Sequence, residues 1–273
     1  MEGYRDDLWE KEKIIKKRED LYKRFKNFFV FDIETVPDSR MIDGISDPKV
    51  LKKIEEEGDD YFLPNHYHRV VTVSILCVKN LKDITFKTFI SENEFKLLNQ
   101  FWKEFKKAHS FVKTGNSKGA VSIFPVLITI NGKSFDMPVI KLRSLKYAQD
   151  LDEKFFISIY LDRFDKWENS YPRYTLFHTQ YHIDIPVDIF GRKISLKDMC
   201  YLCGIPVKTE GEGNLVKEYF MNGELEKIGR YCSEDVKATA MLFSYINTHF
   251  LQNSYLFPKI EDISDLNPQI KVL

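Results

Sequence analysis

Nine residues constrain this chain more than any others: FFVFDIETV, residues 28–36. The run is rich in β-forming side chains and too short for a helix of ordinary length, so it predicts a strand at the centre of a sheet, buried on both faces. Two acids interrupt it. Side chains alternate along a strand, so Asp32 and Glu34, two positions apart, project from the same face. Two ionised carboxylates about 4 Å apart repel by roughly 4 kcal/mol at an effective dielectric of about 20 unless positive charge lies between them. A divalent cation meets that need, and magnesium in particular takes carboxylate and phosphate oxygens while keeping several waters. The same spacing also fits a solvated pair at a sheet end.

Size and composition decide what such a strand can belong to. With 273 residues, 43% hydrophobic and 14% aromatic, the chain can bury a substantial core, which excludes disorder as its overall state and predicts one domain with decorations. Basic and acidic residues number 41 each, so any nucleic-acid contact has to come from local basic patches. Cys77, Cys200, Cys203 and Cys232 read as reduced thiols of a cytosolic protein. Cys200 and Cys203 form one C-x-x-C pair without a second pair or a nearby histidine, and structural thiols are preferred there to zinc or redox chemistry. The N-terminus is charged in both signs and lacks a signal peptide's apolar run, and no stretch approaches membrane-spanning length. The expectation is a soluble, cytoplasmic protein with no membrane partner.

Residues 4–26 mix opposite charges at helical spacings around Leu8, Ile15 and Leu21, predicting an exposed helix ahead of the core or a partner-binding arm. Pro37, Gly44, Pro48, Gly58 and Pro64 break up a long connection around a helix near residues 50–57. Residues 70–78 and 84–90 predict a hairpin, and Ser91 with Glu94 has capping-box spacing before the apolar residues of a helix. Residues 124–130 give another buried strand, which runs through a tight turn into a helix containing Lys141, Leu142 and Leu145. Residues 151–181 have weak periodicity and read as an insertion, while 183–190 reads as an edge strand because Pro186 cannot donate to a ladder. Helices are expected from Ser195 to Gly204, near 215–221 and over about 224–250. This order of elements indicates an α/β layer fold.

Two further groups could join the acids of the first strand. Asp136 sits where a turn becomes a helix, with Pro138 in the first turn; taken alone it is an N-cap. Tyr231 and Asp235 lie four apart on the last helix and share a face, which alone describes a hydrogen-bonded helix edge.

In combination, the phrases FVFDIETVPD, ITINGKSFDMPVIKLR and IGRYCSEDVKATAML resemble, in order, the three motifs of the DEDD exonucleases, especially the tyrosine variant and its stand-alone branch similar to the exonuclease of family-B polymerases. HRVVTVSIL, HIDIPVDIF and LCGIPVK are supporting phrases, although the segment after HIDI is shorter than usual for the family. The resemblance covers residues 28–250, setting apart an N-terminal extension, 1–27, and a C-terminal tail, 251–273. It implies a ribonuclease-H-like α/β fold, a central mixed sheet flanked by helices. It also implies 3′-5′ exonuclease activity on single-stranded DNA or RNA ends, DNA favoured, with two divalent ions, Mg2+ or Mn2+. Carried over by position, the metal ligands fall on Asp32, Glu34, Asp136 and Asp235 and the water-orienting tyrosine on Tyr231. Asn131, Phe135, His68, Arg69 and Arg143 are candidate substrate contacts; the bland alternatives are a core residue for Phe135, a surface pair for His68 and Arg69 and a solvated basic face for Arg143. Rival readings are a catalytically inactive nucleic-acid-binding module and an exonuclease subunit docked to a polymerase or repair complex through its N-terminal helix.

Overall fold

The computed structural model describes residues 25–58, 61–113, 120–161, 174–176, 181–207 and 214–273. The strand predicted from FFVFDIETV is β1 (Asn27–Pro37). The helices α1 (Ser39–Ile42) and α2 (Pro48–Glu57) follow, α2 opening on Asp47, whose side chain accepts from the Lys49 amide. β2 (His68–Lys79) and β3 (Asp83–Ile90) form the expected hairpin. Then come α3 (Glu94–Ala108), the small hairpin of β4 (Ser110–Lys113) and β5 (Ala120–Ile123), β6 (Val126–Thr129), α4 (Asp136–Lys146) and α5 (Lys154–Leu161). β7 (His182–Asp184), α6 (Leu196–Cys203), α7 (Asn214–Met221), α8 (Leu225–His249), α9 (Ile260–Ser264) and β8 (Gln269–Val272) complete the order.

Six strands build one mixed sheet in the order β7-β6-β1-β2-β3-β8. β1, β2 and β3 are antiparallel neighbours, β6 and β7 add in parallel beside β1, and β8 runs parallel to β3. The expected central mixed sheet with helices on both faces is present. The alternation along β1 explains the layers. Phe29, Phe31 and Ile33 pack on one face with Leu97, Phe101, Trp102 and Phe105 of α3 and Met137 and Ile140 of α4. Phe28 and Val30 pack on the other with Val236, Phe243 and Ile246 of α8. Each fully buried phenylalanine contributes about 1.5–3 kcal/mol relative to exposure. Among the described residues, no helix is long and apolar enough to cross a membrane.

Several expectations are corrected. The cap of α3 is Asn93, whose side chain accepts from the Lys96 amide, because Glu94 turns inward to a buried partner and Ser91 binds the chain's end. The strand expected over 183–190 stops at Asp184; residues 185–189, with Pro186, form a single wide helical turn. The segment 251–273, outside the resemblance, packs on the fold: Phe257 and Ile263 are buried in the core, and β8 covers the outer edge of β3, where the Leu273 amide donates to the Ile90 carbonyl. The predicted N-terminal helix lies outside the described residues apart from its end at Phe25 and Lys26, and α5 is the part of the insertion described as a helix.

The distance of α8 from the sheet is set at Gly229, where an added methyl group would collide with the Ile90 side chain and approach Thr88. Gly229→Ala therefore overpacks this contact, at a cost of about 1–3 kcal/mol that outweighs the gain of about 1 kcal/mol in helix propensity. Thermal melting is expected to shift downward; a midpoint equal to or above the parent's would show that α8 has room to spare.

Candidate active site

β6 accompanies β1 only as far as Val30, which pairs with Ile128. Beyond that point β1 continues with β2 on one edge and the turn after β6 on the other. Asp136, buried at the start of α4, faces this free stretch, and its Oδ1 accepts the Ile33 amide proton at 3.2 Å. It is not the N-cap of its helix. That position belongs to Phe135, which makes no side-chain cap bond.

Two features hold the turn that delivers Asp136. Asn131 adopts a left-handed conformation, φ 61°, and a methyl group on Gly132 would lie 2.5 Å from the Thr129 side chain. The fully buried Asp184 at the end of β7 accepts from the Asn131 amide at 2.9 Å and the Lys133 amide at 3.0 Å, and Lys133 Nζ meets Asp188 at 2.6 Å.

From the other side comes α8. Tyr231 and Asp235 lie four apart on it, while the fully buried Cys232 thiol donates to the Asp32 carbonyl at 3.4 Å and approaches Asp32 Oδ2 at 3.6 Å. Ligand atoms of Asp32, Glu34 and Cys232 all lie within 4.8 Å of one another. Sequence reasoning read Cys232 only as a reduced thiol and missed this contact; its position directly after Tyr231 was the available signal.

The electrostatics follow from this crowding. Burial, then the charges of Asp136, Glu34 and Asp235, push the Asp32 carboxyl well above its ordinary range. Glu34 is raised by burial and by Asp235 and Asp136. Burial raises Asp136 to about 7 against the partial relief of its bond from Ile33. The Tyr231 hydroxyl is raised by burial and by Asp235, Glu34 and Asp32 in turn. Asp32, Glu34, Asp136 and Asp235, drawn from three distant motifs, are thus close enough for the charges of Asp136 and Asp235 to act on both acids of β1. Hard oxygen donors on rigid elements are the donor set that suits a magnesium-like ion.

The expected substrate contacts fare differently. Arg143 is not on a solvated basic face: it is buried, with Nη2 2.5 Å from Asp38 Oδ2 and 2.6 Å from Glu94 Oε2. Burial works against the charge of Asp38, but the bonds from Arg143 prevail and hold that carboxyl below its usual range. His68 is no phosphate ligand either. It is buried, bonded to Thr35 Oγ1 at 2.9 Å and to the Leu63 carbonyl at 2.8 Å, and burial lowers its pKa, so it stays neutral. Arg69 is half-exposed; its guanidinium donates to the Glu92 carbonyl and lies 5.6 Å from the ring centre of Phe220. With Asp38, Arg40 and Lys146 it lines a groove of about 520 Å³. Asn131 is exposed beside Asp136. Phe135 is half-buried, its ring 5.1 Å from His68 and 5.2 Å from Phe62. Phe62 is 66% exposed, an aromatic that sequence reasoning passed over inside a polar connection.

Residues 60–256 match a protein family described as a predicted 3′-5′ exonuclease related to the exonuclease domain of PolB. The matched span contains Asp136, Tyr231 and Asp235, while Asp32 and Glu34 precede it. No curated protein matches the sequence. Among solved structures the chain is similar to the family B DNA polymerase of the hyperthermophilic archaeon Pyrobaculum calidifontis, at 16% identity and a TM-score of 0.47. That similarity covers 83% of this chain and 24% of the polymerase chain.

The raised carboxyls make stability depend on pH with a definite sign. Asp136 keeps its proton in the fold up to about pH 7, whereas the unfolded chain releases it near the ordinary value of 3.8. The folded state therefore binds more protons across that window, and its stability falls as pH rises through it. Melting without divalent ions should drop between about pH 4 and 7, and Asp136→Asn should flatten the slope. A flat parent profile would mean that burial does not hold the proton on Asp136.

Proposed function

Because the chain belongs to the family of predicted 3′-5′ exonucleases related to the exonuclease domain of PolB, we propose that it hydrolyses single-stranded nucleic acid from the 3′ end. DNA is preferred to RNA in this reading, by relation to a DNA polymerase's exonuclease, and two divalent ions, Mg2+ or Mn2+, are the cofactors. The observation that supports it most is the mutual crowding of Asp32, Glu34 and Asp136, with Asp235 acting on both acids of β1.

Asp32, Glu34, Asp136 and Asp235 are the residues that would hold the ions. Bound there, such ions supply Lewis acidity toward phosphate oxygens and a nucleophilic water at neutral pH. The protein's own share is positioning and charge, since phosphoryl transfer needs no covalent nucleophile. Without ions, burial and the neighbouring acids oppose the Tyr231 phenolate, and cations bound beside it would act the other way. Its role in this reading is to aim or deprotonate the attacking water. Phe135 and the exposed Phe62 present aromatic surface next to Asp136, where terminal bases could stack. Asn131 and Arg69 are the polar groups placed to contact the strand.

Asp32→Ala and Asp235→Ala are expected to abolish Mg2+-dependent shortening of a 5′-labelled single-stranded oligonucleotide, and EDTA to stop the parent. A parent that binds the oligonucleotide yet never shortens it is a binding module, and the exonuclease reading then fails.

Tyr231→Phe is expected to slow cleavage by up to about 10⁴-fold while leaving Mn2+ affinity within about threefold. Cleavage at the parent rate would remove Tyr231 from the mechanism.

A further inference from the structure

We propose that Cys232 turns the carboxylate cluster into a site for thiophilic divalent ions such as zinc and cadmium, bound through sulfur in a way that magnesium is not. The inference rests on reading that cluster as a metal site.

Cys232 Sγ lies 3.6 Å from Asp32 Oδ2, and Glu34 supplies a third ligand atom within the 4.8 Å set. Zinc bonds to thiolate at about 2.3 Å and to carboxylate at about 2.0–2.2 Å, so a tetrahedral angle between them separates sulfur from oxygen by about 3.6 Å. The cluster already has that separation. A second observation comes from β2. Thr72 stands opposite Glu34 in the β1–β2 register, so their side chains leave the sheet on the same face. Thr72 is fully buried, and its Oγ1 has no hydrogen-bond partner. A buried hydroxyl left without a partner beside two carboxylates and a thiol is suited to an ion or to water bound on one.

Ligation breaks the Cys232 S–H bond and forms a sulfur–metal bond, with the proton released to solvent and no change of oxidation state. Soft thiolate favours zinc and cadmium, whereas magnesium takes oxygen and leaves the thiol protonated, still donating to Asp32. A thiophilic ion thereby occupies Asp32 and Glu34 and excludes the hard ions on which cleavage depends in the proposed function.

The test uses Co2+ as a spectroscopic probe on the whole chain, with Cd2+ and Mn2+ affinities measured by calorimetry. Co2+ is expected to give a near-ultraviolet thiolate-to-cobalt charge-transfer band that Cys232→Ser loses and the double variant Cys200→Ser, Cys203→Ser keeps. Cys232→Ser should weaken Cd2+ binding at least about tenfold while Mn2+ affinity moves less than about threefold. The double variant and the parent spectrum keep the question answerable should Cys232→Ser fold poorly. If the parent shows no band, or if Cys232→Ser retains it, while Mn2+ binding still depends on Asp32, the role of Cys232 is overturned and the carboxylate site stands. If Asp32→Asn binds Mn2+ as tightly as the parent, the underlying metal-site reading falls, and this inference with it.

Discussion

β1 has a strand on both edges for only part of its length, and this asymmetry governs what surrounds it. Where β2 and β6 both flank it, its side chains are apolar on both faces and fully buried. Past Val30 the partner on one edge is the turn that enters α4, and there the face toward α8 carries Asp32 and Glu34 in place of Phe28 and Val30. The apolar half anchors the strand, and the anchored strand holds two acids where they would otherwise move apart. Ligand sites outside the carboxyl ends of parallel strands are a general property of such sheets. Here the parallel pairs β1–β6 and β6–β7 end together at this place.

The chain contains two crowded groups of charge with opposite solutions. Behind the site, Arg143 of α4 binds Asp38 after β1 and Glu94 at the start of α3, and Glu94 also accepts from the Val70 amide at 3.0 Å. Every charge in that group has a counter-charge, so it joins β1, β2, α3 and α4. Removing one partner from such a buried group costs on the order of 3–5 kcal/mol. For Asp32, Glu34 and Asp136 the largest cause acting on the carboxyl is burial, and other acids of the group add to it for Asp32 and Glu34. Rigidity supplied by the balanced group allows the unbalanced one to persist. Fold stability in this sense rests on residues other than those proposed to hold ions.

The parts of this architecture that were legible in the sequence are those with a periodic signal. The apolar run of β1, the β2–β3 hairpin, the Ser195 to Gly204 helix and the long α8 all follow from local pattern, and Ser195 caps its helix by accepting from the Asp198 amide as expected. The acids were visible because charge inside an apolar strand is an anomaly that needs a cause. What stayed hidden depended on partners far away in sequence. Glu94 has a capping-box spacing, yet an arginine 49 residues later draws it inward. Arg143 looked like a surface cation because its helix carries Lys141 and Lys146, and only the fold shows that its face is turned to two acids. β8 was unreadable for a related reason: a short strand on a sheet edge has no periodicity of its own and is specified by the edge it covers.

The bond between Cys232 and Asp32 joins residues 200 positions apart, and Ser91 reaches Leu273 across 182. Contacts of such separation are entropically expensive to form early, because the intervening loop must close before any packing rewards it. Chain segments that lack α8 can still pair β1 with β2 and β3, but they are without Tyr231, Cys232 and Asp235. During synthesis from the N-terminus the acids of β1 therefore emerge well before their counterparts, and the complete anionic cavity forms among the last events of folding.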